Sequence, residues 1–114
     1  MSMGRSRPIS QVEIESEIMR MIDLLERETE NFEKLAQDAA AKEAVLRSEW
    51  AKQYLIASGA VREREAKADV YMADIMYDSK IADSLVKAKR EKLLSLRSSI
   101  DALRTLNANV RAQV

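Results

Sequence analysis

The stretch Ile56-Ala57-Ser58-Gly59-Ala60 decides how this chain is organised. Almost every residue from Ser10 to Arg111 outside it reads as helix, and Gly59 is the only glycine after Gly4. Glycine takes the left-handed conformation that ends a helix without the steric cost of a side chain. Ser58-Gly59 is therefore where the chain is expected to stop, turn and come back, giving two antiparallel arms.

Working outward, the segment before the turn opens on a compact start signal. Ser10 is a natural N-cap, Glu13 completes an S-x-x-E capping box, and Ile9 and Ile14 are spaced as a hydrophobic staple. The first helix is expected over 11–57, with apolar positions such as Ile14, Ile18, Ile22, Leu25, Phe32, Leu35, Leu46, Trp50 and Tyr54 advancing by threes and fours. Its middle, 36–44, has five alanines among nine residues and no large apolar side chain. Such a stretch either admits a close neighbour or packs weakly. After a turn over 58–60, a second helix is expected without interruption over 61–111. Its last third is the most regular: Leu93, Leu96, Ile100, Leu103, Asn107 and Val110 alternate at three and four, the spacing of a coiled-coil seam. Residues 1–9 read as a flexible tail and 10–114 as one helical domain.

Composition agrees with this frame. The chain has 114 residues, 46% hydrophobic, 33% charged and only 4% aromatic, with two glycines and one proline. That is the balance of long helices, and no sheet is expected. Cysteine and histidine are both absent. Disulfides, thiolate or histidine zinc sites, serine–histidine triads and the commonest general base are therefore excluded. The lack of cysteine fits a reducing, cytoplasmic setting, and no apolar run is long enough for a membrane span. Alternating carboxylates such as Glu13, Glu15 and Glu17 spread over different helix faces. Asp74 and Asp78 share a face but have no accompanying polar cluster. Neither a metal, a cofactor nor an enzymatic activity is expected.

Charge supports an antiparallel return. Residues 11–43 hold ten acidic and four basic side chains, a net of minus six, whereas 84–114 hold seven basic and two acidic, a net of plus five. Folding back lays one against the other, with residue i facing roughly 118 minus i. That register pairs Leu25 with Leu93, Ile22 with Leu96 and Ile18 with Ile100, and puts Lys92 near Glu26 and Lys87 near Asn31. Two helices alone have no interior, and each arm is apolar over more than one partner can cover. The fold class expected is all-α, a long antiparallel two-helix hairpin of coiled-coil type, assembled into a homo-oligomeric bundle or ring. Asn107 at a seam position is suited to setting register or copy number.

Two groups of residues are candidates for binding. In the second arm, Lys87, Lys89, Arg90 and Lys92 form a basic cluster, and such side chains supply the phosphate contacts that dominate nucleic-acid affinity. Near the turn, Lys52, Arg62, Arg64 and Lys67 lie close to Trp50, Tyr54 and Tyr71, the ingredients of a single-strand site where bases stack and phosphates are neutralised. Each has a plainer reading: the first cluster faces the acidic arm, and the aromatic pair packs the end of the hairpin.

The stretch Val61-Arg62-Glu63-Arg64-Glu65-Ala66, then Asp78-Ser79-Lys80 leading to the closing LRSSIDALRTLNANVRAQV, resembles the small all-helical proteins of actinobacterial phages. The layout of helix, aromatic and basic tip, turn and second helix is similar to that of the UvsY-type phage recombination mediators. The resemblance implies an oligomer in the host cytoplasm that binds single-stranded DNA and helps a RecA-like recombinase displace the single-strand-binding protein. The mediators' paired basic residues before the turn are not cleanly matched here, since Lys52 is followed by the uncharged Gln53, and no DNA-contacting position is carried over from the family. The other reading is a structural or adaptor coiled coil, a scaffold or an inhibitor of a host protein, with no DNA binding.

Overall fold

In the computed structural model, residues 10–113 are described, and they form three α-helices with no strand among them. The expected tail over 1–9, and with it the Ile9 half of the staple, lies outside the described residues. Helix α1 runs Gln11–Ile56, α2 Val61–Tyr71 and α3 Ala73–Ala112. At 46 residues, α1 rises about 69 Å. Its start is held by the capping box: the Glu13 backbone N–H donates to Ser10 Oγ at 3.1 Å, and the Ser10 N–H donates to Glu13 Oε2 at 3.4 Å. Its end is one residue short of the expected 57, and Gly59 takes a φ of 111°. No described helix is long and apolar enough to cross a membrane.

The chain divides into two compact units. The first joins the start of α1, to Thr29, with the end of α3, from Glu91. Its core is Ile14 from α1 with Leu93, Leu96 and Ile100 from α3, and Asn107 is buried alongside. Ile18, Ile22, Leu25, Leu103 and Val110, the other expected seam residues, are half-buried. Two ion pairs between the helices, Lys92 to Glu28 at 3.2 Å and Arg111 to Glu15 at 3.3 Å, show the antiparallel run. Lys92 thus meets Glu28, two residues on from the Glu26 that the simple register predicts.

The second unit, Glu30–Arg90, contains the rest of α1, the turn, α2 and the start of α3. Ala68, Met72, Ala82 and Val86 are its buried apolar residues. The alanines of 36–44 leave the seam unfilled here: a groove of about 680 Å³ opens between Ala36, Ala39, Ala40 and Leu46 of α1 and Met76 and Val86 of α3.

The expectation of one continuous second helix over 61–111 is corrected at Met72, which separates α2 from α3; α3 then ends at Ala112. The inward positions Arg64, Ala68, Met72 and Met76 step by four, and only from Ser79 onward does the pattern settle into threes and fours. With 3.6 residues per turn, each step of four drifts about 40° off the contact line, so three in a row require local unwinding. Met72 absorbs it. Its backbone sits at φ −95°, ψ 6°, and its N–H donates to both Ala68 O and Val70 O. The ladder resumes with Met76 N–H donating to Met72 O at 2.8 Å.

Candidate nucleic-acid interface

Around the turn, the i, i+4 spacing of Trp50 and Tyr54 on α1 sets their rings one above the other, with centroids 5.5 Å apart and planes 15° from parallel. Arg64, from α2, lies 4.6 Å over the Tyr54 ring and donates from Nε to the Tyr54 carbonyl at 3.3 Å. Trp50 Nε1 donates to Asp69 Oδ1 at 2.8 Å. Tyr54 is thus already engaged by an indole and a guanidinium. The arrangement ties α2 back to α1 by a ring stack, a cation over an aromatic face and a hydrogen bond to the indole.

The remaining cations near the turn divide. Lys67 Nζ donates to the Ser58 carbonyl at 2.8 Å, satisfying an acceptor beside the end of α1. Lys52 pairs with Glu49, one turn back on its own helix, at 3.1 Å. Arg62 is exposed in the first turn of α2. Tyr71, the third aromatic of the sequence reading, is exposed beside the Met72 break.

On α3, Lys87 pairs with Asp83 at 3.1 Å, so its contact lies on its own helix and not at Asn31. Lys89 is half-buried, and Arg90 lies 5.9 Å over the ring of Phe32 on α1. In the other unit Lys92 holds Glu28. The basic cluster is therefore not one solvent-facing array. Spread over 87–92, the four cover more than a full turn of helix, so they point in different directions: Arg90 towards α1, Lys87 along α3, Lys92 to an acidic partner.

Several partners escaped the sequence reading. Asp69, the acceptor for Trp50, was legible in principle, because the hairpin register puts Ala68 opposite Trp50. The Arg64–Tyr54 contact had a weaker signal, since a basic residue near an aromatic serves a nucleic acid and an intramolecular stack equally well. Glu28 differs from the expected Glu26 by a rotation of the helix that spacing alone does not determine. At the start of α1 the carboxyl of Glu15 is held below its ordinary range by hydrogen bonds, first from Gln11, then from Arg111 and Asn107. That of Glu17 is lowered by Arg20. Among the described residues no cluster of three or more acidic side chains could hold a metal ion. No family model, curated protein or solved structure matches this chain.

Proposed function

We propose that this chain is an assembly or adaptor protein, an antiparallel helical hairpin of coiled-coil type that acts as a homo-oligomer and uses its basic residues for its own folding. The observation that carries this reading is where those residues go: Arg64 to Tyr54, Lys67 to Ser58, Arg90 to Phe32 and Lys92 to Glu28. Each is a contact that a nucleic acid would have to replace. Self-association is supported by the balance of burial. Among the described residues eight hydrophobic ones are buried, whereas fourteen large ones, among them Val12, Met19, Leu55, Ile56 and Val70, are exposed. A fold of that proportion gains its missing core from other copies.

A second reading, the mediator-like one, is favoured by a separate observation. The side chains of Lys52, Lys87 and Lys92 remain 66%, 69% and 52% exposed despite their ion pairs, and Arg62 is exposed as well. Exposed ion pairs are weak, so these cations are available to phosphates at little cost. In that reading the protein is a phage recombination accessory that binds single-stranded DNA, with a RecA-like recombinase or a single-strand-binding protein as partner.

The deciding experiment is a fluorescence anisotropy titration against labelled single-stranded and duplex oligonucleotides from low to physiological salt. The assembly reading expects no binding even at low salt, where phosphate electrostatics is strongest. Salt-dependent binding that prefers the single strand would overturn it in favour of the mediator. Charge reversal of Arg62, compared with Lys87, would then locate the contact.

A further inference from the structure

Within the second unit, the groove between α1 and α3 has two unlike walls. The α1 wall is made of Ala36, Ala39 and Ala40 with Glu43 beside them, whereas Lys80, Asp83 and Lys87 project from the α3 wall. Glu33 and Arg47 stand two turns either side of Ala40, so they extend the α1 edge at its two ends. On this flank α1 therefore carries two acids and one base, and α3 two bases and one acid. Lys42, its ion-pair partner Asp38, and Asp78 belong to the opposite flank, where Lys42 and Asp78 border a separate small pocket with Ala41. Lys34, two turns before Ala41, lies on that flank too. Glu33 and Lys80 are exposed and make no ion pair among the described residues. Glu43 and Lys87 make only exposed pairs along their own helices, with Arg47 and Asp83.

We propose that this groove is where a second copy of the chain docks, groove to groove about a two-fold axis running along it, so that each α1 lies against the α3 of the other copy. The proposal rests on the homo-oligomer reading above and names its surface. The alanine wall accepts the projecting edge of the facing α3, because helices with small residues at the contact approach to about 8 Å. Leu46, Met76 and Val86, which line the groove, then form a common core with the same residues of the second copy.

Charge chooses the axis. A two-fold along the groove keeps every residue at its own level. Trp50 bonds Asp69, and Arg90 lies over Phe32, so residue i of α1 is level with roughly residue 120 minus i of the returning chain. Glu33 then meets Lys87 of the second copy, and Glu43 comes within about 5 Å, measured along the axis, of its Lys80. Asp83 faces only the alanines. A two-fold across the groove would instead lay α3 on α3 and set Lys80 against Lys87. The exposed pairs that Glu43 and Lys87 make on their own helices are weak enough to be shared or exchanged.

Mixing tests this pairing, because a charge contact between copies is repaired by a complementary variant and a contact within one chain is not. The full-length variants Glu43→Lys and Lys80→Glu each set like charges together when they associate with themselves, but opposite charges at both contacts when mixed. Glu33→Lys and Lys87→Glu form a second, independent set at exposed positions. Circular dichroism would establish that helix content is kept, and analytical ultracentrifugation would give masses across a range of concentrations. The expected result is a wild-type mass above one chain, self-association of each variant weakened by about tenfold or more, and wild-type affinity regained in the mixtures. Association that is lost in the variants and not regained on mixing would overturn the groove-to-groove pairing. An oligomer indifferent to all four substitutions would overturn this surface while leaving self-association intact. A monomeric wild-type mass at high concentration would sink both this surface and the homo-oligomer on which it rests.

Discussion

Gly59 and Asn107 are the two residues whose chemistry is least replaceable by a neighbour's. At a φ of 111°, Gly59 occupies backbone space that side-chain-bearing residues avoid, and a methyl group there would run into the carboxylate end of Glu63. That side chain is able to move; the backbone strain is not so easily relieved. Gly59→Ala should therefore destabilise the fold by about 1–3 kcal/mol, read as a lower urea midpoint at unchanged slope. An unchanged midpoint would mean the turn has other conformations of equal energy. Asn107 is buried, yet its Oδ1 has no hydrogen-bond partner, although its amide supports Glu15. A buried unpaired carbonyl oxygen costs about 1–3 kcal/mol. Asn107→Leu should accordingly raise the thermal midpoint. A lower one would show that the bond to Glu15 outweighs the unpaired atom.

Among the elements, α1 carries its electrostatics at its start and its weakness in its middle. Glu15 and Glu17 have carboxyl pKa values lowered in the folded protein, Glu15 chiefly by Gln11 and Glu17 chiefly by Arg20. A lowered value means that the folded state favours the ionised form. The contribution is fully present above the ordinary glutamate value of about 4.3 and is lost as the pH falls through the lower folded-state value. Helix content followed by circular dichroism in a fixed concentration of urea should thus fall as the pH drops below about 4, and Glu15→Gln should blunt that fall. An identical acid profile for the variant would remove Glu15 from the account. Sequence reading located the ends of this element well, because caps and glycine act within a few residues of themselves. Met72 was missed for the opposite reason. It is neither glycine nor proline, and the break arises from the positions α2 must present to α1.

At the scale of the molecule, the large apolar residues left exposed outnumber the buried hydrophobic ones among the described residues, and folding should be coupled to association. The thermal midpoint is expected to rise as protein concentration is raised a hundredfold, because any equilibrium that binds only the folded chain stabilises it by mass action. A midpoint independent of concentration would mean that the two-helix packing is sufficient by itself. The sequence by itself determined the all-helical class, the cap at Ser10, the turn at Gly59 and the alternating seam from Leu93 to Val110. These follow from backbone preference and the 3.6-residue period, which operate locally. Only the tertiary structure decided that α2 and α3 part at Met72, that Lys92 reaches Glu28, and that Arg64 and Arg90 lie over aromatic rings of α1. Those outcomes depend on the rotation of one helix against another, and a rotation of a fraction of a turn leaves every local signal in the sequence unchanged.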